Sequence, residues 1–252
     1  MLLRKPPDSQ HIIPHRMSGP WLKGVLLRRY KQFLCDVRLE DGRCVVAHMA
    51  DRGRLEGIIE PGAQVYVSHQ PSEKRKTEYS LVMVDTPHSF DEHKVVKVCV
   101  DPAGANRLVR KVIESRILRP FSRWTQIRQE VRHESSRLDF EIVTAKDETH
   151  LIEVKSVVAV RNGTGLFPDA PSLRAIRHLE TLMAFVQSGQ RATVIFVAQR
   201  EDIRRMRPHP VDPDFAKAFA KARRSGVDCM GLGFTVTDEG FLYRGRMRFY
   251  SS

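Results

Sequence analysis

No two of the four cysteines stand in a C-x-x-C pair; Cys35, Cys44, Cys99 and Cys229 are scattered along the chain. That scatter argues against a zinc site or a disulfide framework. Three of the four sit in apolar, strand-like segments, so reduced, buried thiols are expected. Long apolar runs are also missing. The longest, ATVIFVA, is far below the ~20 residues that cross a bilayer. The opening MLLRKPPDSQHIIPHRMSGP has no apolar core of signal-peptide length, and its prolines and charges predict a flexible tail over residues 1–20. A cytoplasmic protein with no membrane association is the expectation. Acids are outnumbered: 30 Asp and Glu stand against 42 Lys and Arg, a net charge of +12. Such a surplus favours a polyanionic partner, with nucleic acid as the first candidate.

What is present divides into two patterns. VLLRRYKQFLCDVRLEDG, RCVVAHMA, GAQVYVSHQ and TEYSLVMVDT alternate like strands, and Asp41-Gly42, Asp51-Arg52-Gly53 and Pro61-Gly62 mark turns between them. About five strands with no helix between them suit a small closed barrel, so residues 21–88 are expected to form an OB-like β-barrel domain. Lys74, Arg75 and Lys76 fall in one of its loops, where they serve either solubility or phosphate contact.

From residue 89 to 252 the pattern changes. ANRLVRKVIESRIL spaces Leu108, Val112 and Ile113 as a helix does, and strand-like pieces follow around Ile127–Val131, Leu138–Val143 and Leu151–Val160. A helix over residues 172–188 presents Leu173, Ile176, Leu179, Leu182, Met183 and Val186 as its apolar stripe and stops at Gly189. Thr193–Ala198 reads as a buried strand, Asp212-Pro213 opens a last helix, and Val227–Val236 supplies another strand. The order αβββαβ is the core of a restriction-endonuclease-like fold, making the chain α+β overall.

RLDFEIVTAKDETHLIEVKS carries the chemistry. Strand side chains alternate, so Leu138, Phe140 and Ile142 are expected on one face and Asp139 on the other; likewise Ile152 and Val154 leave Glu153 and Lys155 opposite. The polar TAKDETH between them is short enough for a hairpin. Two carboxylates and an amine then converge. Mg²⁺, with Mn²⁺ as an alternative, binds through one or two carboxylates while keeping waters, which makes Asp139 and Glu153 the candidate ligands. Lys155 can orient a water or stabilise developing charge, and Glu130 in IRQEV offers a third acid. Arg174 and His178, one helical turn apart, can meet a phosphate or position Glu153.

EVRHESSRLDFEI, LIEVKSV, GLFPDAPSLRAIRHLETLM and ATVIFVAQRED closely resemble the sugar fermentation stimulation protein A family. The likeness runs from about Arg29 to Gly240. It implies an N-terminal OB-like domain joined to a PD-(D/E)XK nuclease-like domain, DNA as partner, and Glu130, Asp139, Glu153 and Lys155 on the family's acidic and lysine positions. Three departures stand out. Leu138 replaces the proline of the motif, Leu173 replaces a glutamate in the family's T-E-R-G-Q-K-H, and Met49-Ala50-Asp51-Arg52-Gly53 keeps only the glycine of C-P-N-T-G. Arg52 and Arg54 add charge for a phosphate backbone in that loop. A Mg²⁺-dependent DNA nuclease is the leading expectation, and a catalytically silent DNA-binding regulator of sugar metabolism the alternative. Both a monomer and a homodimer remain open.

Overall fold

A computed structural model of the chain describes residues 12–14, 21–51, 53–134, 136–238 and 240–250. Within the expected tail, Ile12–Pro14 forms strand β1 and pairs antiparallel with a strand near the C-terminus, so this piece is docked; the rest of residues 1–20 lies outside the described residues. Strands β2 (Trp21–Tyr30) and β3 (Leu34–Leu39) follow as a hairpin. Its turn holds Lys31 and Gln32 in the left-handed region, without the Gly or Asn that usually announces such a turn. Arg29 compensates: its guanidinium donates to Gln32 O at 2.7 and 2.9 Å, and also to Gly53 O and Arg54 O at 2.8 Å.

Strands β4 (Cys44–Met49), β5 (Gln64–His69) and β6 (Tyr79–His88) complete a ring in the order β4-β3-β2-β5-β6, closed by parallel pairing of β4 with β6. This is a five-stranded OB-like barrel. Its interior is filled by alternating residues such as Leu26, Val37, Ala47, Met49, Val65, Val67 and Leu81. Strand β7 (Asp91–Cys99) then pairs with β6, so the barrel's sheet extends to Cys99 and a division after residue 88 cuts a hairpin. All four thiols are free; Cys35 and Cys99 are buried, but Cys44 is exposed.

The second domain starts with α1 (Pro102–Glu114), capped by Asp101, whose side chain accepts the Ala103 N–H. Strands β8 (Trp124–His133), β9 (Ser136–Thr144) and β10 (Thr149–Val157) form an antiparallel meander. After the short β11 (Val160–Arg161) and β12 (Thr164–Phe167) come α2 (Leu173–Gln187), β13 (Arg191–Gln199), β14 (Arg205–Pro208), α3 (Pro213–Arg224), β15 (Asp228–Val236) and β16 (Gly240–Met247). The main sheet runs β1-β16-β15-β13-β10-β9-β8, with β10, β13 and β15 parallel, and β11-β12-β14 form a small second sheet.

One face of the main sheet packs under α1: Leu108, Val109, Val112 and Ile113 meet Phe140, Ile142, Ile152 and Val154, and Tyr66, Val82, Met83 and Cys99 of the barrel join the same core. The two domains therefore share apolar packing. Helices α2 and α3 cover the other face, with Leu179, Leu182, Phe215 and Phe219 against Leu151, Val194 and Phe196. Asp212 ties the two helix starts together, accepting from Phe215 N at 2.9 Å and Ser172 N at 2.8 Å. That bond fixes where α2 begins.

His150 is buried at the foot of β10, its Nε2 2.7 Å from Thr193 Oγ1 and its ring edge-on to Phe121. Burial, then the charge of Arg191, lowers its pKa to about 4. A histidine whose folded pKa lies below its unfolded value of ~6.5 contributes in full above that pH, and its contribution is lost as pH falls towards about 4. The loss amounts to roughly 3 kcal/mol. Denaturant unfolding of wild type and His150→Gln across this window is expected to show a flatter pH dependence in the variant; parallel curves would remove His150 as the cause.

Candidate active site

The β9–β10 hairpin forms as the sequence leads one to expect, pairing Thr149 with Val143 and continuing to Ile152 with Phe140. There the ladder stops. The next residue of β9 is Asp139, whose Oδ2 accepts the Val154 N–H at 2.7 Å, a side chain standing in for a ladder carbonyl. Its Oδ1 accepts from Asn106 Nδ2 of α1 at 2.6 Å. The chain also changes faces here: Phe140 and Ile142 pack under α1, but Leu138 joins the α2–α3 cluster, so these three do not share a face. Across the strand, Glu130 sits between the pairs Gln129–Phe140 and Val131–Leu138 with φ 54°. A left-handed glutamate within a strand is a local break in the extended backbone.

Glu153 and Lys155 project from β10 towards α2, two residues apart on one face. Lys155 Nζ donates to Glu153 Oε1 at 2.5 Å. His178 of α2 reaches the same oxygen through Nδ1, and Arg174 Nε donates to His178 Nε2 at 3.4 Å. His178 Nδ1 also lies 3.3 Å from Lys155 Nζ, so the imidazole touches Glu153, Lys155 and Arg174 at once. Glu153 is 3% exposed, and its Oε2 is buried without a hydrogen-bond partner. Burial would raise its pKa, but the Lys155 ammonium and the His178 hydrogen bond outweigh it and hold the carboxyl below the usual glutamate range. Asp139 goes the other way. Burial first, and then the charge of Glu153, raise it to about 7 against the opposing bonds from Val154 and Asn106.

The structure thus brings Asp139, Glu153, Lys155 and His178 together, with Arg174 exposed beside them. His178 is buried and serves as a support for Glu153 instead of a surface contact. Glu130 is not part of the group: its backbone conformation directs the carboxylate to solvent, where it pairs with Arg137. Asn106 is a site residue that sequence reasoning missed; the available signal was an amide next to the buried stripe of α1. Leu173 leaves the apolar stripe and is 79% exposed, because α2 buries Ala175, His178, Leu179 and Leu182 and turns its first residue outward.

The barrel candidates are mixed. Arg52 lies outside the described residues. Arg54 is exposed beside Glu56, and Lys74 and Lys76 are exposed in their loop. Arg75 is committed to its own loop, donating to Gln70 Oε1 and Ser80 Oγ at 2.6 Å each. Among the described residues, no group of three or more His, Cys, Asp and Glu is arranged to hold a metal ion, and no helix is long and apolar enough to cross a membrane.

Residues 27–95 match the SfsA N-terminal OB domain, and residues 103–240 match the sugar fermentation stimulation protein RE domain. The chain belongs to the sugar fermentation stimulation protein family. The two SfsA matches meet near the end of β7, where the barrel's sheet also ends. A sugar fermentation stimulation protein homolog of Thioalkalivibrio sulfidiphilus is 36% identical over 219 residues, covering 85% of this chain and 89% of that one. The homolog of Ruegeria sp. is 33% identical over 228 residues, covering 89% and 96%. Among solved structures, Pyrococcus furiosus SfsA in complex with Ca²⁺ superposes with a TM-score of 0.83 at 26% identity, over 94% of this chain and 99% of that one.

Proposed function

We propose that this SfsA family protein is a divalent-metal-dependent DNA nuclease that works at Asp139, Glu153 and Lys155. The observation that carries the reading is Glu153 Oε2, a buried and unpartnered carboxylate oxygen beside an aspartate whose pKa is raised to about 7. A buried carboxylate oxygen without a partner, beside an acid whose ionisation the Glu153 charge opposes, suits a cation held by the pair. Mg²⁺ suits a site with two carboxylates, since it keeps most of its waters, and Mn²⁺ shares that chemistry. The solved Ca²⁺ complex of a relative supports a divalent ion in this family. When bound, such an ion supplies Lewis acidity at the phosphate and a more acidic water.

The remaining work belongs to the chain. Asn106 and the Val154 N–H fix the Asp139 carboxylate, and His178 fixes Glu153. Lys155 holds its ammonium at the same oxygen, positioned to orient a nucleophilic water and to offset charge on phosphorus. Arg174, exposed one turn before His178, is available to a phosphate oxygen. DNA as substrate is supported by the net charge of +12 and a cytoplasmic location accompanies that reading.

One observation favours a silent DNA-binding regulator: Leu173, where the resemblance implies a glutamate, points an apolar side chain into solvent and offers no acid. Incubating purified protein with single-stranded, double-stranded and branched DNA, with Mg²⁺, Mn²⁺ or chelator, separates the two. Metal-dependent cleavage of at least one form is expected; binding without cleavage of any form would leave the regulator.

A further inference from the structure

A row of arginines lies on the small sheet, away from the carboxylates. In β11-β12-β14, Arg161 pairs with Thr164 and Thr164 with Arg205, while Leu166 pairs with Arg207 in the next row. Paired residues of neighbouring strands share a face, so the three guanidinium groups stand on one side. They line a groove of about 620 Å³ together with Asn162 and Tyr250. Tyr250 is held there by its backbone, which donates to Met206 O at 2.8 Å, and the residue is 41% exposed.

No carboxylate is among the described residues that line this groove, and none of the three arginines joins an ion pair among the described residues. Arg205 is oriented by Thr164 Oγ1, to which its Nε donates at 3.1 Å. Three arginines gathered on one face of a groove whose described lining holds no carboxylate indicate a place for external anions. Arg161, Asn162 and Leu166 also line a neighbouring cleft of about 450 Å³ that reaches Arg54 of the barrel. That cleft also carries Glu56 and Asp169, so the stretch free of carboxylates is the groove itself; β11 follows directly from β10, the strand of Glu153 and Lys155.

We infer that this groove binds single-stranded DNA, with Arg161, Arg205 and Arg207 on successive phosphates and the Tyr250 ring stacked on a base. Single strand is preferred over duplex on chemical grounds. An exposed aromatic ring gains from a base face, which a duplex keeps in its own stack, whereas duplex binding would need only the cations. Arg205 and Arg207 alternate along one strand, ~6.6 Å apart, suited to an extended backbone. The inference deepens the proposed DNA reading by naming a second contact surface, and it does not require hydrolysis.

Binding of a fluorescently labelled oligothymidine and of a labelled duplex of equal length, in chelator, tests it by anisotropy. Tyr250→Ala is expected to weaken single-strand binding about tenfold with duplex binding nearly unchanged, and Tyr250→Phe to retain it. Arg205→Ala with Arg207→Ala is expected to weaken single-strand binding at least tenfold and to reduce the salt slope by about 1.4. A melting temperature within a few degrees of wild type confirms that the variants fold; if the arginine pair fails this, Tyr250→Ala carries the test. Wild-type binding of single strands that none of the variants alters, or equal losses on duplex, would overturn the groove alone. No DNA binding by the wild type would overturn both the groove and the DNA reading.

Discussion

Lys155→Ala is expected to reduce metal-dependent DNA cleavage about a thousandfold, the scale on which removing one preorganised charge-stabilising donor lowers catalysis. Nζ sits 2.5 Å from Glu153 Oε1 on the face where the nucleophile would be held, so its loss removes charge stabilisation at the reacting phosphate. An ammonium is not a metal ligand. The cation's effect on melting is therefore expected to persist in Lys155→Ala, and DNA affinity to change little, since the wider basic surface carries it. This split distinguishes a catalytic lysine from a structural one. If Lys155 only neutralised Glu153, its removal would lower the melting temperature and leave cleavage by the folded fraction intact.

The largest loss of stability is expected at Asp202. Arg200 and Asp202 are 2% and 0% exposed, joined by two bonds of 2.6 and 2.8 Å, and Arg200 Nη1 also donates to Val158 O at 2.9 Å. From the barrel side, Ser89 donates its backbone N–H to Asp202 Oδ2 at 2.8 Å, and Ser89 Oγ accepts the Gly163 N–H. Burial works against the Asp202 charge, but Arg200 and the Ser89 N–H outweigh it and lower the carboxyl pKa. Asp202→Ala leaves a guanidinium buried without its counter-charge, which costs about 3–5 kcal/mol. Denaturant unfolding checks this. Replacing both residues with apolar ones of similar size is expected to recover much of the loss, because the double change leaves no uncompensated charge. A single-variant loss below 1 kcal/mol would mean that water reaches Arg200 and that the pair does not join the domains.

The site was legible where the chain keeps strict alternation. Ile152 and Val154 under α1 fix Glu153 and Lys155 on the far side of β10, and Asp212-Pro213 and Ser172 give the helix starts through capping chemistry. It was not legible where backbone geometry breaks the pattern. Glu130 belongs to a strand, yet its left-handed backbone removes it from the site, and Leu138 changes faces beside Asp139. The Lys31-Gln32 turn hid a hairpin because Arg29, distant bonds included, does the work that Gly does elsewhere. β7 was obscured by its exposed, charged start at Asp91–Lys94, with buried valines only at Val96 and Val98. His178 was legible as a residue for a phosphate or for Glu153, and nothing local decides between the two because Glu153 lies on another element.

The central claim is that Asp139 and Glu153 hold a divalent cation. Thermal melting with Mg²⁺ or Mn²⁺ against chelator tests it most directly, since an ion that binds the folded chain alone stabilises it by about 2.7 kcal/mol at a hundredfold excess over Kd. The wild type is expected to melt roughly 5–10 °C higher with metal. Asp139→Asn and Glu153→Gln, each lacking one ligand charge, are expected to lose that shift while still folding. A wild type whose melting ignores both metals, or variants that keep the full shift, would contradict the account.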